Sequence, residues 1–343
     1  MREMIKEGIE RILASRVTPA VLHRSWHGQW DGELWQTLEE NGFTRAICRT
    51  DSDGAGASWS DIYPLVVACG YYQLPLPLPE AILANRLLED AGIAHPGGLV
   101  GIADKGGGIP TAMEATTAGI VPWGGNCAYV LSLWQDAPNT LALFAVEDVT
   151  LEPGSNLARE PRNLLLLGNA QPVAQGYLEN AAAKIRCYGA RIRAAQAAGA
   201  AQSAMEQTIQ YAGDRVQFGN PLAKFQAVQQ QIASAVSELA ALNAASEYAF
   251  SATESTLSWS AAIAKITASE AGSVVSTVAH AVHGAIGYTV EHRLHYATQR
   301  LRSWNSEFGN HRWWCERLGR RICRDGVDPL IPAIVDGSLE PLD

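Results

Sequence analysis

The sequence predicts an α+β multidomain fold that is mainly α. Three observations predict it. Residues 1–95 place apolar side chains at helical spacing. Residues 96–176 break into short β-leaning runs between glycines and prolines. Residues 177–343 return to long, alanine-rich helical patterns that fit an antiparallel four-helix bundle. A chain of 343 residues can bury a large core, and two or three domains are expected.

In the first part, Ile5, Ile9, Ile12 and Leu13 mark one amphipathic face. A second helix runs through Leu34, Trp35 and Leu38 toward a glycine stop at Gly42. The stretch from Asp51 to Ser58 is too glycine-rich for regular structure and reads as an inter-helix turn rather than a phosphate cradle. Ser58 or Ser60 caps the next helix, through Ile62, Leu65, Val66 and Cys69. Pro75, Pro77 and Pro79 make a rigid connector, followed by a short helix over Ala81–Ala91.

The middle part is dense in glycine at Gly97, Gly98 and Gly106–Gly108. Strands are predicted over Gly119–Trp123, Tyr129–Trp134, Leu141–Val146 and Leu164–Leu167. Turns are predicted at Asp136–Asn139 and Glu152–Gly154, so a small barrel or sandwich is expected. Beyond it, Ile185, Tyr188, Ile192, Ala195, Met205, Ile209, Ala212 and Val216 line one long helix. Leu222 to about Phe250 line a second, and Ile263, Ile266, Val274, Val278 and Val282 a third.

Composition excludes several classes. A net charge of −9 argues against nucleic acid as a partner. Six scattered cysteines without a Cys-x-x-Cys pair read as reduced thiols, not as a zinc site or disulfide framework, so a cytoplasmic protein is expected. The first residues lack the apolar core of a signal peptide, and runs such as Leu164–Leu167 are far too short to span a bilayer.

The most informative stretch is residues 215–233, beginning Arg-Val-Gln-Phe-Gly-Asn-Pro-Leu. Gly219 and Pro221 break the backbone. One helix is expected to end near Gln217 and another to begin near Pro221, a favoured first helical residue. Arg215 beside that turn is a fixed cation suited to a phosphate. The alternative is an ordinary helical hairpin with a surface arginine.

The combination of Arg215, Phe218, Gly219, Pro221, Leu222, Phe225 and Gln226 resembles the signature of the acyl-CoA dehydrogenase family. His283-Gly-Ala-Ile-Gly287-Tyr-Thr-Val-Glu291 resembles that family's second signature, with Ala285 in place of its second glycine. By itself, this second stretch is a glycine helix stop. The N-terminal order of helices and Val121-Pro-Trp-Gly-Gly-Asn-Cys resemble the family's helical and β domains.

The resemblance implies an N-terminal helical domain (1–95), a reduced middle β-domain (96–176) and a C-terminal four-helix bundle (177–343). It implies FAD as cofactor, an acyl-CoA as substrate and an electron-transferring flavoprotein as electron acceptor. Arg215 would meet the pyrophosphate of a flavin seated mainly in a neighbouring chain. Gln217 and Phe218 would wall its adenosine part, with backbone at Gly284, Ala285 and Gly287 on the other side.

The chain departs from the family in two respects. The family's flavin-holding Thr-Glu-Pro, Gly-Ser-Asp and Trp-Ile-Thr segments are missing, and Gly154-Ser155-Asn156 is a poor and misplaced substitute. The catalytic base is missing as well. The family places a glutamate before a glycine after the second signature; here Phe308 precedes Gly309, and Glu307 is one residue off. On a helix that offset rotates a side chain by roughly 100°. The alternative base position, on the helix before the first signature, falls near Gly189, and Glu179 and Glu206 are the nearest acids on either side.

This pattern resembles the smaller, base-lacking subunit of heteromeric α2β2 acyl-CoA dehydrogenases of steroid and bile-acid side-chain breakdown. A homologous base-bearing subunit is then the expected partner. Two alternatives remain: a self-sufficient homo-oligomer using Glu307, and a flavin-free scaffold. The basic run Arg312–Arg321 reads as a solvated or interface helix.

Overall fold

The computed structural model describes residues 1–105, 117–134, 137–326, 328 and 342. Gly106–Gly108 and Asp136, which figure in the sequence reading, lie outside the described residues. Five helices come first: α1 (Arg2–Arg16), α2 (Pro19–Trp26), α3 (Gly32–Glu40), α4 (Trp59–Tyr71) and α5 (Leu78–Asp90). Ile5, Ile9 and Leu13 bury the inner face of α1. Ser58 starts α4 through a reciprocal capping box with Asp61, whereas the Ser60 hydroxyl donates to the Phe250 carbonyl. The proline connector is shorter than predicted: α5 begins at Leu78 and takes Pro79 into its first turn, where a missing N–H costs nothing.

Among the described residues the middle segment holds seven strands: β1 (Val100–Ile102), β2 (Thr117–Pro122), β3 (Tyr129–Trp134), β4 (Ala137–Ala145), β5 (Thr150–Glu152), β6 (Arg162–Leu166) and β7 (Ala174–Tyr177). They form two sheets, ordered β1-β3-β4-β7 and β2-β6-β5. Val121, Val130, Phe144 and Leu165 fill the space between them. From Ala137 onward the first predicted turn is already strand, because β4 pairs with β3 on one side and β7 on the other.

The remainder is helical: α6 (Ala181–Asp214), α7 (Gln226–Ser251), α8 (Leu257–His283), α9 (Leu294–Trp304) and α10 (His311–Asp325), with a two-stranded hairpin, β8 (Val216–Gln217) and β9 (Asn220–Pro221), between α6 and α7. Alanines of α6, α7 and α8 pack together with Met205, Leu242 and Val275. Two residues predicted to line the first long helix stay out of the interior. Ile209 and Val216 are exposed, since one lies on the outer face of α6 and the other in the hairpin. The basic run forms α10, where Trp314 is buried and the Trp313 ring lies between Arg186 and Arg317 at 4.4 and 4.0 Å.

The central helix α6 also binds the N-terminal helices. It crosses α4 where both backbones lack side chains. A Cβ at Gly70 would collide with the Gln196 carbonyl, and one at Gly199 with backbone at Val67 and Tyr71. This close approach sets the separation of the two helices. Gly70→Val or Gly199→Val should therefore destabilise the protein by about 3 kcal/mol or more in urea unfolding, as overpacking against immobile backbone does. Gly213→Val, where an added Cβ meets open space, should cost less than half as much.

Candidate functional site

The first signature is a hairpin rather than a helical turn. Arg215 is the C-cap residue of α6. Phe218 and Gly219, between β8 and β9, have φ of 51° and 80°, the paired positive values of a tight hairpin turn. The expectation for this stretch is corrected accordingly. Helix α6 stops at Asp214, Pro221 is a strand residue, and α7 starts only at Gln226. The physical reason is that the two-residue turn lets the strands pair, and the Leu222 N–H then donates to the Arg215 carbonyl at 2.9 Å.

This hairpin leaves its side chains in solvent. Phe218 is 90% exposed. Arg215 and Gln217 are exposed, and among the described residues Arg215 makes no ion pair. An unpaired guanidinium beside a projecting aromatic ring is a donor set that fits a pyrophosphate and an adjoining flat ring.

The second signature closes α8. Gly284 takes φ 63°, a C-terminal stop that favours glycine, and a 3-10 turn follows over Gly284–Tyr288. Gly284 and Ala285 are exposed, and nothing lies near a Cβ built on Gly284. Gly287 is different. It is buried, and a Cβ there would sit 3.0 Å from the His283 Cβ and 3.2 Å from the His280 Nδ1. The two signatures are tied together by one contact. The Tyr211 ring, one turn before Arg215, stacks on His283 at 4.5 Å, and His283 immediately precedes Gly284.

The region of the two base positions is filled. Phe308 is buried with φ 53°, and a Cβ on Gly189 would collide with its ring. The two sequence positions singled out separately are therefore in direct contact. The Phe308 ring occupies the space over Gly189, and its carbonyl accepts from the Trp314 indole at 3.1 Å.

Glu307 points away from this contact into a buried chain of charges. Its carboxylate accepts from Arg162 at 2.8 Å, Arg193 at 2.7 Å and Asn156 at 3.3 Å. Arg193 also donates to Glu80 at 2.7 Å, and Arg162 to Glu160 at 2.9 Å. Arg300 and the Trp304 indole each donate to Glu160 at 3.0 Å. Burial alone would raise the Glu307 pKa, but Arg162 and Arg193 outweigh it and hold it near 2. A carboxylate so held is a poor proton acceptor at neutral pH. Asn156, from the Gly-Ser-Asn stretch, is bound to Glu160 and Glu307.

Neighbouring Lys265 is also buried. It donates to the carbonyls of Trp304 at 2.5 Å and Asn305 at 3.0 Å, and burial drops its pKa to about 7. Sequence reasoning missed this network. The available signal was the pair Arg191 and Arg193 inside an otherwise apolar, alanine-rich helix, since charges at buried positions need partners.

Comparison with known proteins agrees with this architecture. Residues 182–323 match the acyl-CoA dehydrogenase C-terminal domain family. The chain is 26% identical over 335 residues to acyl-CoA dehydrogenase IpdE2 of Mycolicibacterium smegmatis, covering 94% of this chain and 98% of that one. Its fold is that of a chain in the ChsE4-ChsE5 complex from Mycobacterium tuberculosis, with TM-score 0.85, 20% identity and coverage of 95% and 98%. A chain of the Tcur3481-Tcur3483 steroid acyl-CoA dehydrogenase superposes with TM-score 0.80 at 21% identity, covering 94% of this chain and 97% of that one. No helix among the described residues is long and apolar enough to cross a membrane.

Two outcomes are expected. Glu307→Gln leaves Arg162 and Arg193 short of a counter-charge and should cost about 3–5 kcal/mol. The folded Glu307 pKa lies below the ordinary value of 4.5, so its stabilisation is complete above pH 4.5 and is lost as pH falls toward 2. Acid unfolding of the variant should be correspondingly flatter in that window. Gly189→Ala should cost about 1–3 kcal/mol in the native chain through collision with Phe308, and almost nothing in a Phe308→Ala background. A double-mutant cycle in urea measures the difference.

Proposed function

We propose that this chain is the base-lacking subunit of an FAD-dependent acyl-CoA dehydrogenase that introduces an α,β double bond into an acyl-CoA. It completes the FAD site of a homologous base-bearing partner in an α2β2 complex. The observation that carries this reading is a contrast within one molecule. Phe308 fills the space over Gly189 and Glu307 is locked between arginines, while the Arg215 and Gly284 edges are exposed. A chain organised in this way has little means of abstracting a proton, yet presents a finished surface to a ligand seated elsewhere.

FAD is the cofactor of the acyl-CoA dehydrogenases. When bound, it supplies the acceptor for the hydride leaving the β carbon. The Arg215 guanidinium of this chain would neutralise the pyrophosphate. Phe218 and Gln217 would wall the adenosine part, and exposed backbone at Gly284 and Ala285 would approach where side chains would obstruct, with Gly287 holding their turn. The α proton would pass to a carboxylate of the partner. Glu307 then has a structural task. A steroid or bile-acid side-chain CoA is the substrate class we favour, supported by the likeness to a steroid acyl-CoA dehydrogenase. An electron-transferring flavoprotein would reoxidise the flavin.

The test is co-expression with a base-bearing homologue, followed by native mass and visible absorbance. This chain alone should be colourless, and the pair should form a yellow heterotetramer. Arg215→Ala should strip the flavin from the pair without dissolving it. A yellow homo-oligomer of this chain, bleached by an acyl-CoA, would overturn the proposal and return Glu307 to the role of base. A stable complex without flavin would instead favour a scaffold.

A further inference from the structure

Four histidines meet behind the second signature. His280 and His283 stand in the last turn of α8, His292 in the loop that follows, and His295 in the first turn of α9. His280, His283 and His295 are buried. The His283 ring lies edge-on to His292 at 4.8 Å and stacks on Tyr211 of α6 at 4.5 Å. His280 stacks on Tyr288 at 4.1 Å, and His295 is edge-on to Trp26 of α2 at 5.2 Å.

Hydrogen bonds place the single proton of each neutral ring. The His283 Nδ1 lies 2.8 Å from the Ala279 carbonyl and the His295 Nδ1 lies 2.7 Å from the His292 carbonyl, so these nitrogens are the donors. Thr298 gives its hydroxyl hydrogen to the Leu294 carbonyl at 3.3 Å and accepts from His280 Nε2 at 2.9 Å. His292 Nδ1 accepts from the Leu294 N–H at 3.2 Å, at the start of α9. Each ring therefore keeps one lone pair. Those on His280 Nδ1, His283 Nε2 and His295 Nε2 are buried and meet no donor. A second proton on any of the three would find no acceptor, and one on His292 would cancel the bond that starts α9.

The surroundings oppose a second proton as well. The charges that act on the rings are the other imidazoles and, from α9, Arg302 beside His280 and Arg300 beside His295. Tyr211 from α6, Tyr288 from the turn and Trp26 from α2 are uncharged. The Glu291 carboxylate is exposed and bonded to Thr289, and Glu206 of α6 accepts from Tyr71 and Gln202. Burial, and then these cations, lowers all four histidines from the ordinary value of 6.5. The cheapest relief is local. Of residues 284–291 only Gly287 is buried. The Thr289 and His292 N–H groups donate within the segment, to Ile286 and Thr289, so ring contacts with His280 and His283 are what tie it down.

We infer that this histidine cluster is an acid-operated latch on residues 284–293. The neutral rings hold the segment closed, and protonation lifts it from α8 and α9 so that the imidazolium groups reach water. The folded values lie below 6.5, so the closed state is fully stabilised above that pH and loses stability as pH falls below it. This window is separate from that of Glu307. The latch stands on the cluster alone; its consequence for flavin rests on the function proposed above.

Hydrogen exchange of the full chain, read by mass spectrometry at pH 7.5 and 5.5 and corrected for the chemical exchange rate, is the test. Protection of residues 284–293 should fall about tenfold or more at pH 5.5, since each imidazole returned to its ordinary value contributes up to about a factor of ten there, while α7 keeps its protection. His283→Phe retains a ring on Tyr211 and removes one titrating group, so its fall should be several-fold smaller. His292→Asn retains an acceptor for the Leu294 N–H without titrating, and at this half-buried position it serves even if His283→Phe disturbs the packing. Equal protection at the two pH values, a loss shared evenly by α7, or a native-like fall in both variants would each overturn the inference. In the flavin-loaded pair, flavin should leave as the segment opens. Opening with flavin retained would still support the latch and would count against the Gly284 edge as part of the flavin site.

Discussion

The buried alternation Glu80–Arg193–Glu307–Arg162–Glu160–Arg300 is the constraint on which the rest of the structure depends. Its members come from α5, α6, the turn after α9, β6, the loop before β6 and α9 in turn. No two neighbours along it belong to the same helix or strand. Three positive and three negative groups balance, so the interior carries these charges without a net excess. Removing any one leaves a desolvated charge beside it, which is far costlier than a missing surface pair. The helical N-terminal segment, the sheets and the bundle are thereby held in one register.

That register explains why the interior of this chain is closed. Glu307 cannot swing toward Gly189 without abandoning two arginines. With Glu307 turned to the charge chain, the next residue, Phe308, is turned the other way, and its N–H donates to Asp104 at 2.9 Å. Its positive φ permits this reversal within one step. Lys265 adds to the fixation by holding the last carbonyls of α9. Electrostatics on one side and an aromatic plug on the other thus arise from two consecutive residues. The outward edges, at Arg215 and Gly284, are joined to the same bundle by the Tyr211–His283 stack and bear none of this load.

Much of the fold was legible in the sequence because apolar spacing reports buried helix faces directly. The inner face of α1, the cap at Ser58, strand β3 and the course of α6, α7 and α8 follow from residue order. The strands β1, β5 and β7 are three or four residues long, too short for a period to show. The hairpin after α6 escaped because it depends on Phe218 taking a left-handed conformation, which its side chain does not advertise. The contact of Phe308 with Gly189 was half legible. Each position stood out alone, but only folding shows that one fills the space of the other. Of the charge chain only the arginines within alanine-rich α6 gave a signal; the pairing itself did not show, since its partners are separated by up to 145 residues and no local pattern links them.

Buried ion pairs rarely maximise stability, and well-packed apolar side chains of similar volume can match them. What an alternating chain supplies beyond that is selectivity among packings. An apolar plug at this position would tolerate a shifted β-sheet or a rotated α9, because hydrophobic contacts have no direction. Here a displacement of β6 would part Arg162 from both Glu160 and Glu307, and a rotation of α9 would part Arg300 and Trp304 from Glu160. Each such error strands charges in a dry interior. Under the function proposed above, the Arg215 and Gly284 edges have to be held in fixed relation to the site that they complete. A directional interior is a physical means of doing so, and it places the role of Glu307 in architecture.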